Sequence, residues 1–513
     1  VVKRMPPKLP VRTLSARVLD GTAWLFSGRV LQACLRIIVL SVLARHLRPE
    51  EFGIAAAGML IIQFFRVFLR TGVAPAVIQR SEMTEKHVRV AATFSVAMGT
   101  TCGCILHFYA TEMSALVFDS ADLAPILRML SLLLPIQSLS IVAQALMERR
   151  LAFDRVARVE LIAYLAYGGV GVSLAVTGHG PWALVYGFLV ESLVRSMLAL
   201  FFERHSWRPL LDVALAKEVF FFSAGFSLAR LGNFLGGHGD NWVVARWLGD
   251  HALGFYKYAF EMSTMISNLI GGVLDRVLFP AMATIQKDET RIGSTYLTGV
   301  ALVSMIMLPV SATAVVAAPE LIRVVLGPGW DAVVIPFRVL SIALSLRASY
   351  KVADAVARAT GAVYQRVWRQ ALYGLSVIGF SWLGHHWGIG GVAVGAVGGV
   401  VVNAVAMNGL TMRITRVSWG DVMIAHLGAL RVFLLSATVS YMAAIYPRSR
   451  DVIPVVTLSA IFLAQALIVV PLVLRYPDRF LGRMGSEAAA VLGGRAAKAY
   501  PRAERFARSW RRA

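Results

Sequence analysis

The sequence predicts an all-α polytopic membrane protein of about fourteen transmembrane helices, built as two parallel-repeat six-helix bundles plus two peripheral helices. Three observations point there. Long apolar runs alternate with charged clusters, Lys and Arg concentrate in alternate loops, and short motifs recur in order along the two halves of the chain.

The apolar runs come first. Of 513 residues, 57% are hydrophobic and 16% charged, where an ordinary soluble chain carries about 25% charged residues. Lipid is the natural solvent for that excess, and a spanning helix needs about 20 mostly apolar residues. Such runs lie at 20–44, 53–78, 89–110, 123–147, 157–177, 182–202, 218–247, 253–283, 296–316, 334–358, 366–386, 389–412, 426–446 and 452–475. They are numbered here as spans 1 to 14. They lack the period-two alternation of a membrane β-barrel. The first run is too long for the core of a signal peptide and reads as span 1.

Loop charge sets the direction. With the N-terminus in the cytoplasm, the inner loops and termini collect about 32 Lys and Arg and the outer loops about 5. Arg149, Arg150, Arg155 and Arg158 share one inner loop, while the outer loop near Asp119 and Asp122 has none. The expected location is a bacterial inner membrane, with several passes and both termini cytoplasmic. The net charge of +22 is thus mostly topology. Charge scattered over many short loops argues against a nucleic-acid partner.

The repeat comes third. Ala44-Arg45-His46-Leu47 followed by Gly53 returns as Ala245-Arg246-Trp247-Leu248 followed by Gly254. Pro75-Ala76 and Gln79-Arg80 return as Pro280-Ala281 and Gln286-Lys287. Arg128-Met129-Leu130-Ser131 matches Arg338-Val339-Leu340-Ser341, and Arg155-Val156-Ala157-Arg158 matches Arg366-Val367-Trp368-Arg369. Gly178-His179-Gly180 matches Gly388-Ile389-Gly390. Both copies start inside, so they are parallel repeats, which meet at a central cavity opened to either side by rocking. The expected domains are 1–217 (spans 1–6), 218–425 (spans 7–12), 426–475 (spans 13 and 14) and a basic cytoplasmic tail, 476–513. The tail interleaves Arg479, Arg483 and Arg495 with Phe480, Leu481 and Leu492, a pattern that suits either anionic lipid or disorder.

Ionisable groups at membrane depth are costly and seldom face lipid. Arg29 and Arg36 in span 1, Arg66 and Arg70 in span 2, Arg230 and Asp240 in span 7, Lys257 and Glu261 in span 8, and Arg347, Lys351 and Asp354 in span 10 all lie at such depth. Glu191 and Arg195 in span 6 are four apart and can neutralise each other. The excess is cationic. Arg36, Arg66, Arg230, Arg347 and Lys351 are the candidate ligands of an anionic cargo such as a diphosphate. Asp240, Glu261 and Asp354 are the candidates for charge balance or for coupling to a proton or sodium gradient. No cofactor and no resident metal is expected. Arg45, Arg246, Arg338 and Arg358 lie near span ends and can snorkel. Gly236-Gly237-His238-Gly239 reads as a kink or as a close-packing site. Cys34, Cys102 and Cys104 read as small buried residues. No nucleotide loop and no catalytic constellation of recognisable spacing is present, which argues against an enzyme.

One stretch, Ile37 to Arg89, resembles the first two helices of bacterial polysaccharide-transport flippases. It contains Leu43-Ala44-Arg45, Pro49-Glu50-Glu51-Phe52-Gly53 and Ile78-Gln79-Arg80. Asn233, Asp240-Asn241, Gly249, Leu253-Gly254-Phe255-Tyr256 and Val277-Leu278-Phe279-Pro280-Ala281 are similar to the span 7–8 region of the same family. The turn Gly180-Pro181-Trp182-Ala183-Leu184-Val185 fits as well. The resemblance covers roughly 15–475. It implies the oligosaccharide-lipid branch of the multidrug/oligosaccharidyl-lipid/polysaccharide exporter superfamily. Cargo in that branch is typically an undecaprenyl-diphosphate-linked repeat unit, moved to the periplasmic leaflet before polymerisation for lipopolysaccharide or exopolysaccharide. Membrane lipids and a polymerase are then the expected partners. The alternatives are a lipid II or drug exporter of the same superfamily, or a membrane-embedded glycosyltransferase or polymerase.

Overall fold

The computed structural model describes residues 31–70, 77, 83–150, 152–206, 208–212, 215 and 224–476. Arg29, Pro75-Ala76, Gln79-Arg80 and the basic tail beyond Tyr476 lie outside the described residues. Among the described residues there are helices and turns and no strand. Among the described residues, eight helices are long and apolar enough to cross a membrane, or up to ten when each of two bent pairs is counted as one span. The chain divides into two compact units between Leu228 and Ala229.

In the first unit, α1 covers residues 31–46. It is followed by α2 (Pro49–Arg70) and α3 (Glu85–Phe108). Thr84 caps α3, accepting from the His87 backbone N–H, while the His87 ring takes the Thr84 N–H. Span 4 is not one rod. It is α4 (Leu123–Leu130), α5 (Leu133–Ser138) and α6 (Ile141–Arg149), with a 41° bend before α6. α7 (Phe153–Val176) and α8 (Trp182–Phe202) form a hairpin. Its turn needs Gly178 and Gly180, both at positive φ (79° and 54°). Small residues let these helices approach closely. A Cβ on Gly99 would sit 2.4 Å from the Ser138 Cβ, and one on Gly168 would sit 2.8 Å from Val39 of α1.

The second unit opens with α9 (Ala224–Thr284), whose two arms meet at Gly249 (φ 82°, ψ 177°). This corrects one of the two readings of Gly236-Gly237-His238-Gly239. The chain stays helical there and breaks ten residues after Gly239, at Gly249. The early glycines make room for α14 (Val363–Gly384) instead: a Cβ on Gly232 would lie 2.6 Å from the Gln370 backbone, and one on Gly239 2.5 Å from Ile378.

Next come α10 (Glu289–Val316), capped by Asp288 accepting from the Arg291 N–H, and the short α11 (Ala318–Val325). Span 10 breaks into α12 (Val334–Ile342) and α13 (Leu344–Ala359), bent by 40°. α14 packs along α15 (Gly388–Thr415) in a second hairpin. There Gly384 meets the Gly391 backbone and Gly395 the Phe380 backbone. α16 (Trp419–Ser449) is capped by Ser418 in a reciprocal box with Asp421. α17 (Pro454–Ala464) and α18 (Val470–Arg475) are joined by a π-helical turn.

The core of this unit joins Tyr296, Val300 and Met307 of α10 to Leu344, Val352 and Val356 of α13 and to Met407 and Leu410 of α15. Outward faces stay apolar, as with Leu375 on α14, Met423 and Leu434 on α16 and Leu467 after α17. That is the surface a helix shows to hydrocarbon. The cysteines correct another expectation. Cys34 and Cys104 are exposed and Cys102 is half-buried, because the faces that carry them look outward. A thiol is close to apolar and tolerates such a surface.

Candidate functional site

The first unit holds two of the five candidate cations. Arg66 on α2 is half-buried, and its Nε donates to Gln137 Oε1 at 2.7 Å. The Gln137 amide in turn donates to Ser192 Oγ at 2.9 Å. A neutral amide therefore aims the Arg66 guanidinium across spans 2, 4 and 6. Arg36 on α1 is exposed and stacks over the Tyr164 ring at 5.6 Å. Glu191 and Arg195 pair with each other along α8, as their spacing predicts. Gln137 escaped the sequence reading, although an amide inside Pro135-Ile136-Gln137-Ser138 is a polar interruption of an apolar run.

In the second unit the turn at Gly249 folds α9 back so that residue 256 reaches residue 240. Asp240 is 1% exposed. Its Oδ2 accepts from the Tyr256 hydroxyl at 2.8 Å. Its Oδ1 accepts from the Asn241 backbone N–H at 2.8 Å and from the Asn241 side-chain amide at 2.9 Å. All three donors are neutral. Arg347 on α13 is 9% exposed, with its guanidinium carbon 5.4 Å from the centre of the Phe260 ring. Its buried Nε has no hydrogen-bond partner among the described residues. The Arg347 charge acts on Asp240, His238, Tyr256, Tyr350 and Tyr373. The result is a buried guanidinium and a buried carboxylate in one polar nest, inside an apolar unit.

The remaining candidates are placed differently. Lys257 pairs with Glu261 at 3.3 Å and lies over the Phe260 ring at 5.8 Å. Asp354 is held by Arg358 at 3.1 Å and by both arms of the Arg366 fork. Arg358, read from the sequence as a snorkelling side chain, is thus an ion-pair partner. Lys351 is half-buried on α13, and Arg230 is exposed on α9. Of the tyrosines that wall the nest, Tyr256 entered the sequence reading only within Leu253-Gly254-Phe255-Tyr256, and Tyr350 and Tyr373 carried no signal: tyrosines scattered through apolar helices look like packing residues. Among the described residues no group of three or more His, Cys, Asp or Glu could hold a metal ion.

The family model described as "Polysaccharide biosynthesis protein" matches residues 42–335, more than half of the chain. The lipopolysaccharide biosynthesis protein WzxC of Escherichia coli K12 is 26% identical over 65% of this chain and 68% of its own length. The succinoglycan biosynthesis transport protein ExoT of Rhizobium meliloti is 25% identical over 64% and 65%. The chain thus spans about two thirds of each of these relatives' length. Among solved structures, the lipid II flippase MurJ in an inward closed conformation superposes with a TM-score of 0.70 at 14% identity, covering 88% of this chain and 99% of that one. An inward-facing MATE family multidrug transporter gives 0.61 at 16% identity, covering 77% and 98%. Those likenesses place the helices in the transporter fold that MurJ and MATE share. With the family match over 42–335, they show that this many-helix membrane chain belongs to the polysaccharide biosynthesis protein family.

Proposed function

We propose that the chain flips an undecaprenyl-diphosphate-linked oligosaccharide repeat unit from the cytoplasmic to the periplasmic leaflet of a bacterial inner membrane, by alternating access, for surface or exopolysaccharide synthesis. It acts as a transporter and not as an enzyme. Family membership gives the class of cargo. The observation that carries the site is Arg347: a guanidinium 9% exposed, with an Nε that no group among the described residues satisfies. A buried donor left open costs about 1–3 kcal/mol, more when charged, so an anion that takes it is strongly favoured. Arg36, Arg66, Arg230, Arg347 and Lys351 are the proposed ligands of the diphosphate. Arg offers a planar fork that matches phosphate oxygens, and Lys offers a mobile point charge.

The same sign of charge disfavours export of cationic drugs. Spans 1–6 and 7–12 are proposed as the two parallel repeats, with spans 13 and 14 peripheral and both termini cytoplasmic. Analysis of the lipid carriers in a deletion strain tests the cargo. Undecaprenyl-diphosphate oligosaccharide should accumulate on the inner face and surface polysaccharide should be lost. Normal polysaccharide with altered drug tolerance would refute the reading in favour of a drug exporter. Full complementation by a variant with Arg36, Arg66 and Arg347 all changed to Ala would refute the ligand set.

A further inference from the structure

Asp240, Glu261 and Asp354 are the candidate carboxyl groups at membrane depth for balancing the cations, and their surroundings separate them. Asp354 is bonded to two arginines, Arg358 and Arg366. Glu261 is paired with Lys257, and its side chain is 43% exposed. Asp240 alone of the three is buried and bonded only to neutral groups, Tyr256 and Asn241. The Arg347 charge acts on it without a direct ion pair.

We infer that Asp240 and Arg347 form a proton-linked anion site: Arg347 takes a phosphate oxygen of the cargo as Asp240 takes a proton from solvent. The inference rests on the reading of Arg347 as a cargo ligand. Its physical basis is charge balance in a medium where net buried charge is expensive. In the empty state the Arg347 cation and the Asp240 anion offset each other. A phosphate oxygen brought to Arg347 adds a second negative charge near the same guanidinium whose field already reaches the Asp240 carboxylate. Like charges in one buried site disfavour double ionisation. Forming one O–H bond on Asp240 removes the excess, and no electron moves.

A second observation supports the protonated state. Asn241 Oδ1 is buried and has no hydrogen-bond partner among the described residues, while its amide nitrogen donates to Asp240. Turning that amide over presents Oδ1 to the carboxyl, where it accepts the new O–H. Tyr256 can keep donating to the other oxygen. Asp240 therefore has a complete set of partners whether ionised or protonated, and Asn241 is the element that changes.

Other charged and titratable groups face the pair from each packed element. His238, on the first arm of α9, feels both Lys257 and Arg347. Tyr256 and Lys257 come from the second arm of α9. Tyr350 lies on α13 among Arg347, Asp354 and Arg366. Tyr373 of α14 feels Asp240, Arg347 and Tyr350. Lys351 lies one turn along α13 from Arg347. His238, an imidazole packed against Phe260 beside the pair, is the group to control for.

The test uses the full chain in phosphatidylcholine nanodiscs with farnesyl diphosphate as the probe. Affinity should rise as pH falls, with an extra slope of up to about tenfold per pH unit for one coupled proton. D240N keeps the probe's own titration but should lose the extra slope and bind tightly throughout. H238Q should retain the slope. In weakly buffered solution, wild type should take up about one proton per probe bound, and D240N none. An unchanged slope or unchanged uptake in D240N overturns the inference. Should D240N fail to insert, Y256F, which removes one donor from the carboxylate, must move the midpoint of uptake; an unmoved midpoint overturns it equally. R347A should bind weakly at every pH. Wild-type affinity in R347A would sink the cargo-ligand reading itself, whereas weak binding by R347A with a pH slope intact in D240N would sink only the proton linkage.

Discussion

Gly236 has no room for a side chain. A Cβ there would stand 2.1 Å from the Tyr373 ring, while one on Gly237 would meet nothing within 4 Å. Tyr373 is 4% exposed and packs with Ala343, Val377 and Val400, so it cannot swing aside freely. G236A is therefore expected to cost about 1–3 kcal/mol and G237A much less, read as thermal unfolding of the purified protein. Equal effects of the two substitutions would show that packing against Tyr373 does not govern the segment. Gln137 is the other residue with a clear consequence. Q137L keeps the volume but removes the bond that aims Arg66, so polysaccharide export should fall several-fold, about the weight of one charge-assisted hydrogen bond, with normal insertion. Unchanged export would mean that Arg66 is held by other means. The cluster Gly236-Gly237-His238-Gly239 was legible as special, but its composition suits a kink and a close contact alike. Only the neighbour across the interface chooses between them.

Among the elements, α11 is tied to α16 by a charge pair. Arg448 of α16 donates through Nε and its terminal amine to the two Glu320 oxygens, at 2.7 and 2.8 Å, and also to the Val316 carbonyl at 2.8 Å. Burial raises the Glu320 carboxyl, but the hydrogen bond and charge of Arg448 outweigh it, and the group sits below its ordinary 4.5. A carboxyl held low contributes stability above its unfolded value, and that contribution is lost as pH falls through the folded value. E320Q should therefore destabilise the protein near neutral pH, by about 1.5–3 kcal/mol for hydrogen bonds to a charged group. The difference from wild type should shrink below about pH 4.5. A difference constant with pH would exclude the ion pair as its cause. Span 4 shows how an apolar run can hide its breaks. Ser131, Ser138 and Ser140 each turn a hydroxyl onto the carbonyl three residues back, and Pro135 lacks an N–H. Such bonds compete with the helix ladder and bend it. The residues are visible in Ser131-Leu132-Leu133-Leu134-Pro135-Ile136-Gln137-Ser138, but hydropathy averaged over a span conceals them.

For the whole molecule, the loop charges predict one orientation. A reporter active only in the periplasm should be active when inserted near Asp119 or near Asp451 and silent when fused after Ala513. The reverse pattern would overturn the orientation. The sequence by itself determined the solvent, the helical class, the approximate places of the helices and which runs carry ionisable residues. Each of these follows from local composition: apolar length, loop Lys and Arg, and single ionisable residues inside a run. Tertiary structure alone decided which charges are balanced. Asp354 and Arg347 share a helix at a spacing that suggests one face, yet Asp354 belongs to Arg358 and Arg366. Asp240 shares its nest with Tyr256 across the turn at Gly249 and with Arg347 of α13. Spacing along one helix is written in the chain. The partner that a buried charge finds depends on which helices pack beside it, and on desolvation that penalises every charge left without one.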